Sequence, residues 1–157
     1  MPSQLRPFAA RPYEAQLRLL VTAACTHRCP FCHNEGLARR AKAIDPVQLK
    51  RYLPLLRAYC SSITLSGGEP FQASSVDEII QDLADADFDI TVVTAGAELL
   101  SHLPSIGLLD TLHVSFVGLN SDDAAANCNG NPGEKVKALV AVRSECPLLK
   151  IVINVPY

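Results

Sequence analysis

Short runs of Val, Ile and Leu recur along the chain at residues 17–21, 63–65, 90–93, 112–117 and 151–155. Brief β-branched runs bounded by turn-forming residues predict strands. The stretches between them carry helix-start signals: Asp45 as an N-cap before Pro46, Ser75 with Glu78 as a capping box, and Asn131 before Pro132 with Glu134 in the first turn. Residues 97–103 predict a shorter helix, ended by Pro104. Strands alternating with helices predict an α/β fold, a parallel sheet of five strands joined by right-handed crossovers in a single domain. There is no sequence repeat, linker or low-complexity segment.

Within the predicted strands the polar positions fall on one parity. Ser62, Thr64 and Ser66 alternate with Ile63 and Leu65; His113 and Ser115 alternate with Val114 and Phe116; Arg18 and Thr22 alternate with Leu17, Leu19 and Val21. A parallel sheet covered on both faces would instead read as continuous apolar strands. The pattern predicts a curved sheet with helices on its convex face and a polar concave face that holds a small molecule. Hydroxyls that merely satisfy β-propensity would account for any one strand, though less well for three.

Composition sharpens this picture. Apolar residues make up 48% of the 157 and charged ones 19%, with no Trp and one Met, enough for a packed core. The length falls short of a complete (β/α)₈ barrel of about 250 residues. With 14 Lys and Arg against 16 Asp and Glu, a net charge of −2 argues against a nucleic-acid or anionic-membrane binder. No apolar run approaches the roughly 18 residues of a membrane span, and Arg6, Arg11 and Arg18 interrupt any leader-like stretch, so the expected location is cytoplasmic.

Six cysteines are too few for a disulfide scaffold, yet Cys25, Cys29 and Cys32 crowd the loop after the first strand. That is the C-terminal end of a strand, where α/β folds place their chemistry. Clustered soft thiolates suit an iron–sulfur centre or zinc. A structural zinc would need a fourth ligand from Cys60, His27 or His33; three local thiols point to a cluster with one iron left open. Cys60, Cys128 and Cys146 lack ligand spacing and are expected to be buried structural residues, as are His102 and His113. Arg39, Arg40 and Lys42 could attract an anion, but a basic run before a capped helix is more often a solvated loop.

The C-x3-C-x2-C spacing with Phe31 before the last Cys, followed at the end of the second strand by Ser66-Gly67-Gly68-Glu69-Pro70, resembles the radical S-adenosylmethionine (SAM) superfamily. The resemblance implies that Cys25, Cys29 and Cys32 bind three irons of a [4Fe–4S] cluster and that SAM chelates the fourth. It implies that Gly67, Gly68, Glu69 and Pro70 contact the SAM amino group, the glycines admitting close backbone approach and the carboxylate and carbonyls accepting hydrogen bonds. Thr94, Ser115 and Asn154 lie near the family's polar contacts to methionine and ribose, and each also suits a cap or turn. Phe31 would pack near the adenine. An electron from a flavodoxin- or ferredoxin-like donor would cleave SAM to a 5′-deoxyadenosyl radical, which takes hydrogen from a small-molecule or peptide substrate.

His33-Asn34-Glu35-Gly36 resembles the cluster loop of the GTP 3′,8-cyclases of molybdenum-cofactor synthesis and of glycyl-radical activating enzymes. Against a complete cyclase, residues 33–157 hold no second cysteine triad, and Gln72 stands where a basic residue is expected. A peptide-modifying activating enzyme, and a cluster or zinc scaffold without turnover, are the alternatives. The expected domain is a single core over residues 1–157, a truncated partial (β/α)₆ barrel ending on its fifth strand. Either the chain continues in a longer protein, or an oligomer or partner chain covers that strand.

Overall fold

The computed structural model describes residues 16–27, 29, 32, 43–116 and 131–155. Five strands form one sheet: β1 (Gln16–Thr22), β2 (Ser62–Gly67), β3 (Asp89–Thr94), β4 (Thr111–Ser115) and β5 (Lys150–Asn154). Each pairs in parallel with the next, in the order β1-β2-β3-β4-β5. Because the order never reverses, right-handed crossovers keep the helices on one face, the winding of a barrel rather than of a doubly wound sheet.

Among the described residues the α-helices are α1 (Pro46–Arg57), α2 (Val76–Asp85), α3 (Leu103–Ile106) and α4 (Pro132–Glu145). Asp45 accepts from the backbone N–H groups of Val47 and Gln48, and Asn131 from that of Gly133, as their positions before a proline predict. Ser75 occupies the N-cap of α2 without a side-chain cap bond. Its φ of −101° and ψ of 5° depart from the extended backbone that aims a capping hydroxyl at the Glu78 N–H, so the expected capping box does not form. The expected helix over 97–103 is instead a 3₁₀ segment, Leu99–His102, running into α3; Pro104 sits in the first turn of α3 and does not end the helical stretch.

The covered face of the sheet carries the aliphatic parity. Leu17, Ile63 and Ile90 stand in register, as do Leu65, Val92, Leu112 and Ile151. Helix α2 adds Val76, Ile79, Ile80 and Leu83, each 0% exposed, and α1 adds Leu49 and Leu53. At about 1.5–3 kcal/mol per buried aliphatic side chain, α2 fastens the layer more firmly than α1. On the other face Thr91, Val93, His113, Ser115 and Val152 are half-buried. Strand β2 departs from the expected polar face, since Thr64 and Ser66 are buried too.

Strand β1 breaks its alternation near its end. Leu20 pairs with Ser66 but Thr22 with Gly67, so two β1 residues oppose one on β2. Val21 and Thr22 are consequently both buried, and the Thr22 hydroxyl accepts the Ala24 N–H at 3.0 Å. Strands β4 and β5 end at Ser115 and Asn154, with Val117 outside the described residues and Val155 just past its strand. Beside β5, at one edge of the sheet, Val136, Val140, Ile153 and Val155 line an apolar groove of about 600 Å³. Among the described residues no helix is long and apolar enough to cross a membrane.

Candidate functional site

The loop after β1 carries Cys25 and Cys32 exposed and Cys29 half-buried, and none of the described cysteines is in a disulfide. The Cys32 N–H donates to the Cys29 carbonyl at 3.1 Å, tying the backbone of the third cysteine to that of the second. The first part of this loop is zipped onto the segment after β2. Gly68 N–H donates to the Thr22 carbonyl at 2.7 Å and Glu69 N–H to the Ala24 carbonyl at 2.9 Å. Thr26 and Gln72 then exchange two bonds: Thr26 N–H to Gln72 Oε1 at 3.0 Å, and Gln72 Nε2 to Thr26 Oγ1 at 2.6 Å.

This zipper explains the glycine pair. A Cβ on Gly67 would lie 2.3 Å from the Thr22 carbonyl oxygen, and one on Gly68 2.2 Å from that of Ala24. Gly67 also has φ +133°, a conformation that L side chains rarely adopt. The close approach that demands glycine is therefore to the cysteine loop's own backbone.

Glu69 is fully buried. Its carboxylate accepts from Thr94 Oγ1 at 2.6 Å, Ala95 N–H at 2.7 Å and Phe71 N–H at 3.3 Å. Burial pushes its carboxyl above the ordinary range, against the opposing pull of these three donors and of His27 nearby. The side chain expected to receive an ammonium also accepts from these protein donors, and so ties the end of β2 to the end of β3. Thr94 is 3% exposed and stands in register with Val114, on the covered parity, so it braces Glu69 rather than joining Ser115. Pro70 is buried at the start of the 3₁₀ turn Pro70–Gln72, which Glu69 caps.

Ser115 and Asn154 are register neighbours at the ends of β4 and β5, so the structure brings this predicted pair together. Ser66, one residue before the glycines, keeps a buried Oγ with no hydrogen-bond partner, a hydroxyl whose bonding capacity is unspent beside the turn. Phe31 and the 33–36 stretch lie outside the described residues, as do Arg39, Arg40, Lys42 and Cys128.

Cys60 is buried and precedes β2, whereas the three clustered thiols follow β1. Six strand residues separate the two ends of the sheet by about 20 Å. Cys60 therefore cannot complete a zinc site with them. Burial raises its thiol pKa, and its Sγ points to the Leu56 carbonyl, the structural role expected of it. His102 is also structural: its ring stacks on Phe71 with centroids 5.1 Å apart, and its Nδ1 pairs with Asp77 at 2.9 Å.

Among the described residues no three His, Cys, Asp or Glu side chains are arranged to hold a single metal ion. Thiolates of a cluster bind different irons and need not converge on one point. Three thiols on the loop after β1, with the unspent Ser66 hydroxyl near the same end of the neighbouring β2, suit the donor chemistry of an iron–sulfur cluster with a polar ligand.

Two features escaped the sequence reading. The Thr26–Gln72 exchange links positions 46 residues apart, with only the local polar character of each as a signal. Lys135 is 8% exposed, donates to the Ser115 carbonyl at 3.5 Å, and lies 5.9 Å from the Phe116 ring centroid. With His27, Glu98, Asn131 and Glu134 it lines a cavity of about 280 Å³. A cation so near the N-terminus of α4, against the helix dipole, was the available hint.

Among curated proteins, the chain is 32% identical over 111 residues to a probable GTP 3′,8-cyclase of Thermococcus kodakarensis, covering 68% of this chain and 36% of that one. It is 26% identical over 142 residues to a probable GTP 3′,8-cyclase of Methanothermobacter thermautotrophicus, covering 88% and 47%. The chain thus spans less than half the length of these relatives. Streptococcus suis SuiB, crystallised with S-adenosylmethionine, shares the fold at a TM-score of 0.79 with 19% identity, over 93% of this chain and 35% of that one. anSMEcpe with bound AdoMet gives a TM-score of 0.68 with 16% identity, over 88% and 43%. The family model of the radical SAM superfamily matches residues 19–153, spanning both the cysteine loop and the glycine turn, and the chain belongs to that superfamily.

Proposed function

We propose that this chain forms the core domain of a radical SAM enzyme, with Cys25, Cys29 and Cys32 holding a [4Fe–4S] cluster. The observation that carries the reading is the zipper that fixes the start of a three-thiol loop against the Gly67–Gly68 turn at the C-terminal ends of β1 and β2. When bound, the cluster and SAM together supply a low-potential electron and the 5′-deoxyadenosyl radical that removes hydrogen from a substrate.

The chain's own residues bind and position. Gly67, Gly68 and Pro70 present backbone rather than side chain toward a SAM amino group. Glu69 and Thr94 hold that backbone in place from behind. Ser66, Ser115 and Asn154 are the candidate hydroxyl and amide contacts, and Phe31 is the aromatic expected beside the adenine. A flavodoxin- or ferredoxin-like protein serves as electron donor.

Anaerobic reconstitution with iron and sulfide tests this directly: the reduced protein should release 5′-deoxyadenosine from SAM. Stoichiometric zinc without iron uptake would replace the reading with a structural metal protein. The names of the curated relatives favour GTP as the substrate. GTP should then raise 5′-deoxyadenosine output, and no stimulation would remove the cyclase reading while leaving the superfamily chemistry in place.

A further inference from the structure

We propose that Gln72 is a positioning residue for the cluster ligands, latching the Cys25 side of the loop to the glycine turn. The inference rests on the thiols being cluster ligands, as proposed above. The three anchors of the zipper fall on Thr22, Ala24 and Thr26, so Cys25 is held on both sides by bonded neighbours. Gln72 supplies the last anchor entirely through its side chain.

A carboxamide offers, on one planar fork, an acceptor for a backbone N–H and a donor for the hydroxyl of the same residue. A lysine or arginine at position 72 could donate to Thr26 Oγ1 but has nothing to accept the Thr26 N–H. The platform behind Gln72 is rigid: Phe71 is 1% exposed and stacked on His102, and Glu69 caps the turn. Thr26 by contrast is exposed, so the latch governs where the loop lies more than whether the protein folds.

The test compares the full-length chain with Gln72→Leu, Gln72→Glu and Thr26→Val. In the metal-free protein, amide exchange at Thr26 should speed up about tenfold in Gln72→Leu, on the scale of losing a partly exposed pair of bonds. Gln72→Glu should restore protection, since a carboxylate accepts from both the N–H and the hydroxyl. Thr26→Val, which keeps the N–H bond, should fall between. In reconstituted protein, Gln72→Leu should release iron to a chelator faster and change the electron paramagnetic resonance spectrum of the reduced cluster, both reversed in Gln72→Glu. Parent-like exchange at Thr26 in Gln72→Leu would overturn the latch, whatever the iron content. If the parent takes up no iron, the cluster reading fails, and Thr26 exchange still decides whether the latch exists. If Gln72→Leu does not fold, an unchanged exchange rate in Thr26→Val overturns the proposal.

Discussion

Thr94 donates its hydroxyl hydrogen to Glu69 Oε1 at 2.6 Å while the same hydroxyl oxygen accepts the Gly96 N–H at 2.9 Å. The pair converts a buried carboxylate into a joint between the C-terminal ends of β2 and β3. A residue that looks, in sequence, like a ligand contact also joins two strand ends.

Glu69→Ala leaves the Thr94 hydroxyl and the Ala95 and Phe71 N–H groups without their acceptor, which should cost about 3 kcal/mol in urea unfolding. The same joint has a pH signature. Because burial raises the Glu69 pKa in the folded state, the native protein binds more protons than the unfolded one between the ordinary glutamate value and the raised one. Its contribution is therefore full on the acid side and is lost as pH rises through the folded value. Glu69→Gln should flatten the stability profile across that window, as thermal melts at a series of pH values would show.

Gly68→Ala places a methyl 2.2 Å from a backbone oxygen that no rotamer can move, and should destabilise the fold by about 3 kcal/mol or more or expel the cysteine loop. Gly133→Ala meets only the Asn131 side chain at 3.2 Å. It should shift the melting temperature little, and comparing the two variants by circular dichroism checks the assignment.

Cys29→Ala should abolish iron binding, whereas Cys60→Ala should retain it and lose only packing stability. In the metal-free protein, the exposed Cys25 and Cys32 should react with a thiol reagent well before the buried Cys60, whose raised pKa and burial both slow it. Equal iron loss in the two variants would contradict the ligand assignment.

Asp45→Ala removes two N-cap bonds from α1 and should cost about 1 kcal/mol, with Asp45→Asn close to the parent. Denaturant melts of the three proteins measure the difference.

The centres of all five strands were legible because each is a short aliphatic run, and so were the caps of α1 and α4, which depend on adjacent residues alone. Other features depend on remote partners. The β1 bulge arises where Thr22 meets Gly67, and the burial of Glu69 depends on donors at Thr94 and Ala95 on the next strand. The capping box expected at Ser75 does not form because the turn from Ala73 holds the Ser75 backbone away from the extended conformation a capping residue needs. The cysteines and glycines pointed to the candidate site. Their mutual contact, and the parity that separates Thr94 from Ser115, needed the register of the sheet.

Neighbour-by-neighbour strand order also bears on biosynthesis. Among the described strands, each of β2 to β5 pairs with the one made just before it, so the sheet can grow in the direction of translation without waiting for a distant segment. The zipper between the cysteine loop and the glycine turn is complete in sequence once Gln72 has been added. The residues of that zipper are therefore all present on the emerging chain while β3, β4 and β5 are still to come, and the Thr94, Ala95 and His102 contacts that brace the turn are added afterwards.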